Sequence, residues 1–221
     1  MKRKELLQII EEGESLQTEF KLKFSSHEKI AKEMIAFANT KGGFIIFGVD
    51  DDKTIVGVES EKEAAELIEE VSSKYCEPPV KYNIEYIDVF NKELVVIEVP
   101  ESMEKPHRLQ DYLPDFDITK AAVYVRVNDK SIQASKEMVR ILRAYAAEAE
   151  LKKYVIGKNE QIVFEYLDKN ETINVKLLSQ LANISQRRAS RTLVKMVRAR
   201  LLLIHTKDNG DEYFTYSGAA Y

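Results

Sequence analysis

AFANTKGGFIIFGVDDDKTIVGV, residues 36–58, brings a helix end, a tight turn and a buried strand together in one short run. The run continues a helix that we predict from His27 to about Thr40. Lys41 to Gly43 predicts a turn. FIIFGV (44–49) predicts a buried strand, because it is apolar, β-branched and too short for a helix. With a second strand expected over 54–58, this order is typical of a mixed α/β domain.

The rest of the chain up to about residue 150 also mixes helical and strand patterns. Two strands over 82–89 and 92–99 predict a hairpin around Phe90-Asn91. The other predicted elements are helices over 1–12, 61–75 and 135–153, strands over 16–24 and 122–127, and a long loop over 106–120. We therefore predict an α+β fold, a mixed sheet with helices, in a first domain of residues 1–150.

A second, smaller domain is predicted over residues 157–221, starting at Gly157. Three helical patterns, 159–169, 175–182 and 186–201, precede LLIHT, a turn at 208–211 and EYFTY. Three helices and a hairpin within about 60 residues are typical of a winged helix-turn-helix domain.

Composition excludes several classes of protein. The 221 residues contain no apolar run near the ~20 residues that a membrane helix needs. The single cysteine, Cys76, allows no intramolecular disulfide, and three scattered histidines lack the spacing of a metal site. We expect a cytoplasmic protein without a membrane segment.

Charge is distributed unevenly along the chain. Residues 151–221 hold 12 basic and 7 acidic residues, a net charge of +5, whereas the whole chain carries −4. Residues 1–150 therefore carry −9. Between Thr172 and Lys207 there are eight basic residues and no acidic one. This asymmetry indicates a polyanionic partner for the C-terminal part.

The predicted helix 186–201 has a basic face. Four basic residues at i, i+4, i+8 and i+11 share one side: Arg187, Arg191, Lys195 and Arg198. An apolar stripe takes another side: Ala189, Leu193, Met196 and Val197. In helix-turn-helix proteins the second helix enters the major groove. The residues predicted to contact nucleic acid are Gln186, Arg187, Arg188, Ser190, Arg191, Lys195, Arg198 and, on the hairpin, Lys207.

The basic helix also fits a different function. Many winged helices bind proteins, and a solvated basic face on a small protein-docking domain gives the same pattern. The sequence leaves both readings open, with DNA favoured over RNA if the partner is a nucleic acid.

Acidic residues gather near predicted strand ends of the first domain. Glu14 and Glu19 lie five apart around a bend into a strand, with Lys21 two beyond. Asp50, Asp51 and Asp52 follow the buried strand. Carboxylates from separate strand ends can hold a divalent cation, which can activate water against a phosphodiester. The alternative is that these acidic residues simply solvate a turn.

Three motifs together resemble the Schlafen/AlbA-type divergent domain: GESLQTEFK (13–21), residues 36–58, and VYVRVNDKSIQAS (123–135). The resemblance covers about residues 8–145 and implies an α/β fold with a nucleic-acid-related role. Prokaryotic members are usually described as DNA-binding transcriptional regulators, and some as ATP-binding proteins. This chain has no phosphate loop of the form G-x-x-x-x-G-K-S/T, so ATP is not expected.

Animal relatives of this family include RNA-cleaving nucleases with a carboxylate triad. The resemblance assigns that triad to Glu14, Glu19 and either Asp50 or Asp51, with Lys21 as the family's lysine. A nuclease would hold Mg²⁺ or Mn²⁺ on Glu14, Glu19 and Asp50; otherwise no cofactor is expected. Those nucleases build a cleft from two such domains, and a homo-oligomer of this chain could supply the second.

Three functions are compatible with the sequence: a DNA-binding transcriptional regulator, a metal-dependent endoribonuclease, and a non-enzymatic adaptor. The charge asymmetry and the family resemblance favour the first. The nuclease needs a basic substrate track in an acidic domain, which a local groove could supply: Lys21, Lys23, Arg126 and Lys130.

Overall fold

The structure, a computed structural model, describes residues 1–112, 121–146 and 154–217. The chain divides into two compact units, Met1–Gln133 and Ala134–Tyr221. The elements of the first unit are α1 (Arg3–Glu12), β1 (Thr18–Lys21), α2 (His27–Asn39), β2 (Gly43–Phe47), α3 (Glu61–Glu70), β3 (Cys76–Glu77), β4 (Asn83–Val89), β5 (Lys92–Val99), β6 (Arg108–Leu109), β7 (Tyr124–Val127) and β8 (Lys130–Gln133). The elements of the second unit are α4 (Lys136–Ala146), α5 (Lys158–Leu167), α6 (Val175–Leu181), α7 (Gln186–Arg198), β9 (Leu202–Thr206) and β10 (Glu212–Tyr216).

A four-stranded sheet organises the first unit, in the order β1-β2-β5-β4. Strands β1 and β2 are parallel, whereas β2 with β5 and β5 with β4 are antiparallel. The sheet is therefore mixed, which confirms the predicted fold class. The predicted hairpin is also confirmed, since β4 and β5 are joined by Phe90 (φ 55°) and Asn91 (φ 60°). Positive φ at both central residues is the geometry that the twist of a two-residue hairpin requires.

Helices cover both faces of this sheet because its central strands are apolar on both sides. Ile45 and Phe47 of β2 belong to one cluster, whereas Ile46 belongs to another. The first cluster includes these residues of α2 and α3: Ile30, Met34, Phe37 and Ile68. The second includes Leu6 and Ile10 of α1. Side chains alternate across a strand, so a continuous apolar run serves two layers.

Local signals place α2 where the sequence predicts it. The Ser26 hydroxyl accepts a hydrogen bond from the backbone N–H of Lys29 at 3.3 Å, which caps the first turn. The helix ends at Asn39, one residue before the predicted end. The predicted helix 61–75 is present as α3 followed by a π-helical turn over Val71–Tyr75.

The second strand predicted over 54–58 is wrong. This segment forms an isolated bridge between Val49 and Ile55 and otherwise folds back, so that the N–H groups of Val56 and Gly57 both donate to the carbonyl of Gly48. Gly48 has a φ of +92°, and a Cβ there would lie 2.9 Å from the Cα of Gly57. The chain turns back too tightly at this point for a ladder to form.

The short strand pairs also differ from what the sequence predicts. The loop predicted over 106–120 contains β6, which pairs with β3, and its residues 113–120 lie outside the described residues. Strand β8 pairs with β7 and was not predicted, and the strand expected over 16–24 is limited to β1. Pairs of two to four residues carry too little periodicity to be recognised.

The second unit has the predicted order of three helices and a hairpin, preceded by α4. Strands β9 and β10 are antiparallel, and an isolated bridge joins Ile173 to Phe214 of β10. Its core draws on every helix and both strands, and includes Ile141, Val163, Leu167, Leu178, Leu193, Met196, Leu202 and Phe214. Residues 147–153 of the helix predicted to end near Lys153 lie outside the described residues. Among the described helices, none is long and apolar enough to cross a membrane.

Candidate nucleic-acid interface and carboxylate cluster

Helix α7 is held by its cap and by its apolar stripe. The Ser185 side chain accepts a hydrogen bond from the N–H of Arg188 at 3.3 Å, and this bond fixes the first turn. All four residues predicted for the stripe are buried: Ala189, Leu193, Met196 and Val197. Burial of one side fixes which side of α7 faces solvent.

Most of the predicted basic face is exposed. Gln186 and these four basic residues are open to solvent: Arg187, Arg188, Arg191 and Lys195. Arg198 is half-buried, and it has an interaction partner of its own. Four positive charges thus lie along two turns at the N-terminal and middle part of α7.

Ser190 does not belong to that exposed face. Its side chain is 3% exposed; its hydroxyl donates to the Glu137 carboxylate and accepts from Arg140 at 2.9 Å. Both partners lie on α4, so Ser190 joins α7 to α4 within the second unit. The prediction that Ser190 contacts nucleic acid is therefore corrected, because α4 covers this side of the helix.

Lys207 lies at the end of β9, in the turn that leads to β10. The turn closes with a hydrogen bond from the Lys207 N–H to the carbonyl of Asp211 at 2.8 Å, and Gly210 has a φ of 86°. The ammonium of Lys207 lies 5.6 Å from the ring centroid of Tyr213, which orients this exposed side chain.

Glu14 and Glu19 lie near each other at β1. The Glu14 carboxylate accepts a hydrogen bond from the N–H of Phe20 at 2.9 Å. Burial raises the pKa of Glu14, and the negative charges of Glu19 and Asp51 raise it further, while the bond from Phe20 lowers it. Glu14 thus lies within electrostatic range of Glu19 and Asp51.

Glu19 is neutralised by cations of the protein itself. It is 8% exposed; one carboxylate oxygen pairs with the ammonium of Lys21, and the other accepts from the Arg126 guanidinium at 2.9 Å. Lys21 is therefore adjacent to Glu19. Both oxygens of the most buried carboxylate are occupied.

The acidic run after β2 stabilises its own turn. The Asp50 carboxylate accepts from the N–H of Asp51 at 2.9 Å, and Asp52 accepts from Thr54 at 2.8 Å. The bond between Asp52 and Thr54 is that of an Asx turn. Both bonds agree with the alternative reading in which the acidic residues serve the turn.

The carboxylates do not fit a divalent cation in this arrangement. Within the three described ranges of the chain, no group of three or more His, Cys, Asp and Glu residues is placed to hold a metal ion. A metal would need oxygens of Glu19 that Lys21 and Arg126 already occupy.

Sequence reasoning missed the network around Arg126. Its side chain is fully buried, donates to Glu33 at 3.1 Å as well as to Glu19, and lies 4.6 Å from the ring centroid of Phe37. The suggestion that Arg126 lines a basic groove is corrected, because its charge is enclosed by two carboxylates. The one signal in the sequence was an arginine inside the apolar strand VYVRV, where a buried charge demands a partner.

Glu33 completes this network. Its carboxylate accepts from the Ser131 hydroxyl and from Arg126. Burial raises the pKa of Glu33 and the nearby Glu19 adds to the rise, whereas Ser131 and Arg126 lower it. Residues of α2, β1, β7 and β8 are thereby joined through one guanidinium.

Several solved structures resemble part of the chain, and two of them illustrate the likeness. One is a protein of Corynebacterium diphtheriae, at 18% identity and a TM-score of 0.42; the match covers 59% of this chain and 28% of that one. The other is the N-terminal domain of a DNA helicase RecG-related protein from Nitrosomonas europaea, at 22% identity and a TM-score of 0.37, covering 59% and 88%. The chain thus corresponds to less than a third of the Corynebacterium protein. Among curated proteins, none matches.

The family model described as Schlafen, AlbA_2 matches residues 14–135, more than half of the chain. The match begins at Glu14 and contains β1 to β8, with the Arg126 network inside it. It agrees with the resemblance drawn from the three sequence motifs and indicates a nucleic-acid-related role. The chain belongs to the Schlafen AlbA_2 family.

Proposed function

We propose that this protein is a DNA-binding transcriptional regulator whose second unit is a winged helix-turn-helix domain. The observation that carries the proposal is α7, a helix with one side in the core of its unit and a row of exposed positive charges on the other. The nucleic-acid-related role of the family supports it.

The connection between α6 and α7 fits this reading. Four residues, 182–185, separate the helices, and Asn183 has a left-handed φ of 50° that turns the chain sharply. The N–H of Ile184 donates to the carbonyl of Ser179 at 3.0 Å, which holds the turn against α6. In a helix-turn-helix motif the second helix enters the major groove with its N-terminal residues at the base edges.

The N-terminal residues of α7 have side chains suited to base recognition. Gln186 and Arg187 are exposed at the first two positions of the helix. Arginine bonds guanine and glutamine bonds adenine in a bidentate manner through the major groove. We assign base reading to these two residues and attachment to the remaining exposed basic residues.

Electrostatics favour the same partner. The second unit, residues 134–221, holds 15 basic and 10 acidic residues, a net charge of +5. Like charges at i, i+4 along α7, such as Arg187 with Arg191, destabilise a free helix by about 0.2–0.5 kcal/mol a pair. A phosphate backbone would offset that cost and release counterions.

Replacing Arg187, Arg188 and Arg191 by alanine tests the proposal. We expect weaker binding to duplex DNA and a smaller slope of log K against log salt, by about one for each lost phosphate contact. Titration of labelled duplex at several salt concentrations measures both. The matched control, Lys136→Ala with Arg143→Ala and Lys169→Ala, removes three exposed charges of the same unit that do not belong to α7.

Two results would count against DNA binding through α7. Unchanged affinity and slope in the triple variant would exclude α7 as the contact surface. An equal loss in the control would mean that net charge alone attracts the DNA, which would leave the protein-docking alternative as the better reading of α7.

A further inference from the structure

A basic pocket lies beside α7, wholly within the second unit. Its volume is about 510 Å³, and it lies between the first turn of α5, the turn before α7, and α7 itself. Four basic residues line it: Lys158, Arg188, Arg191 and Lys195. Gln186 and Arg187, the two residues assigned to base reading, are not part of its lining.

The α7 side of the pocket is a row of cations without acidic partners. Arg188, Arg191 and Lys195 follow at i, i+3 and i+7 and so lie on one side of the helix. In the part of the chain that the structure describes, none of the three forms an ion pair. Three adjacent positive charges facing a cavity of this size attract an anion.

The acidic residue in the pocket is already engaged. Glu160 accepts from the N–H of Gly157 at 3.1 Å and from the hydroxyl of Tyr154 at 2.9 Å. Its carboxylate thus stabilises the start of α5. The lining carries four positive charges and one negative charge, a net charge of +3.

The first turn of α5 adds to the attraction. Gly157 is its N-cap and has no side chain to accept from the N–H groups that follow. Lys158 and Asn159 at this turn line the pocket. The positive end of the helix dipole favours an anion at this end, beyond what the cations contribute.

We propose that this pocket binds backbone phosphate groups of the nucleic acid and acts as the anchor of the second unit, separate from the base-reading end of α7. The inference rests on the proposed function and deepens it. Phosphate fits because it is a compact anion with several acceptor oxygens, which match guanidinium and ammonium donors. Anchoring through phosphate fixes the position of α7 and carries no sequence preference.

The test compares two variants of the full chain. Lys158→Ala with Lys195→Ala removes two exposed cations from the pocket, whereas Arg187→Ala removes one from the same helix outside it. We expect the pocket variant to lose affinity by the same factor on every duplex and to lower the salt slope by about two. Arg187→Ala should instead alter the preference among sequences.

Duplexes with single neutral methylphosphonate linkages locate the phosphate. At one or two linkages, neutralisation should weaken binding of the wild type and of Arg187→Ala, but should weaken binding of the pocket variant less, because two of the four cations that contact this phosphate are already gone. If the loss from the neutral linkage and the loss from the pocket substitutions multiply independently at every linkage, the pocket proposal is wrong. The proposed function would still stand.

Inorganic phosphate separates failure of the pocket from failure of the proposed function. If the wild type does not bind duplex DNA, the proposed function fails. Inorganic phosphate is then titrated at constant ionic strength, and the amide resonances of Lys158 and Asn159 are followed by NMR. A saturable shift that the pocket variant lacks would support a phosphate site and would point to a free phosphate compound as its ligand. Absence of any shift would overturn the site.

Discussion

Arg126 has a buried guanidinium in the first unit. It has two carboxylate partners, Glu19 and Glu33, in a region where each charge is shielded from water. We expect Arg126→Met to destabilise the protein by about 3–5 kcal/mol, because removing one member of a buried ion pair leaves the others uncompensated. Urea unfolding measures the loss.

The double variant Arg126→Met with Glu33→Gln serves as the control. It removes one uncompensated carboxylate, so its loss of stability should be smaller than the sum of the two single losses. A loss below about 1 kcal/mol in Arg126→Met alone would mean that the network contributes little beyond its packing on Phe37.

The sequence predicts which side chains of α7 face solvent. It does not predict which elements of the fold cover the other side chains of this helix. The spacing of Arg187, Arg191 and Lys195 places them on one side of a helix, and all three are exposed. Ser190 lies between them in sequence but is covered by Glu137 and Arg140. A helical pattern cannot reveal which other helix packs against it, because that packing is tertiary.

At the scale of elements, the start of α4 and strand β10 form an acidic contact. Glu212 of β10 faces Ser135 and Glu137. Burial raises the pKa of Glu212 to about 7; a bond to Ser135 lowers it, and the charge of Glu137 raises it. Two carboxyl groups and Ser135 thus lie where the hairpin meets α4.

The pH dependence of stability follows from that shift. The folded pKa of Glu212 exceeds its unfolded value of about 4.3, so the folded state binds the proton more tightly. Its contribution is complete below about pH 4, is lost as the pH rises through about 7, and changes no further above about pH 8. At most about 4 kcal/mol is lost over this interval.

Glu212→Gln should remove this dependence, since glutamine carries no charge at any pH. We expect the variant to match the wild type near pH 4.5 and to be the more stable of the two at pH 8. Thermal or urea unfolding across that interval gives the difference directly. A variant less stable than the wild type at pH 8 would contradict the assigned pKa and indicate that the carboxylate is stabilising.

Elements with strong local signals were predicted to within a few residues, and those defined by tertiary pairing were not. Helix α2 has a serine cap, and the β4–β5 hairpin has two residues that adopt positive φ. Residues 54–58 have the composition of a strand. The chain folds back at Gly48, however, so these residues do not pair with a neighbouring strand in a ladder. Strand formation depends on a neighbour, which local sequence does not specify.

At the scale of the whole molecule, the two units carry opposite net charge. Residues 1–133 hold 18 basic and 27 acidic residues, a net charge of −9, and residues 134–221 carry +5. Each unit has its own hydrophobic core, so residues 134–221 should fold alone. If the second unit alone binds DNA, the first unit repels the same DNA electrostatically.

This repulsion predicts a salt-dependent difference between residues 134–221 and the full chain. The screening length is about 30 Å at 10 mM salt and about 8 Å at 150 mM. The isolated unit should therefore bind duplex DNA more tightly at low salt, and the two affinities should converge as salt increases. Circular dichroism confirms folding of the isolated unit, and titrations from 10 to about 300 mM salt give the two curves. Tighter binding by the full chain at every salt concentration would instead show that the Schlafen AlbA_2 domain makes contacts of its own with the nucleic acid, strong enough to outweigh its net charge.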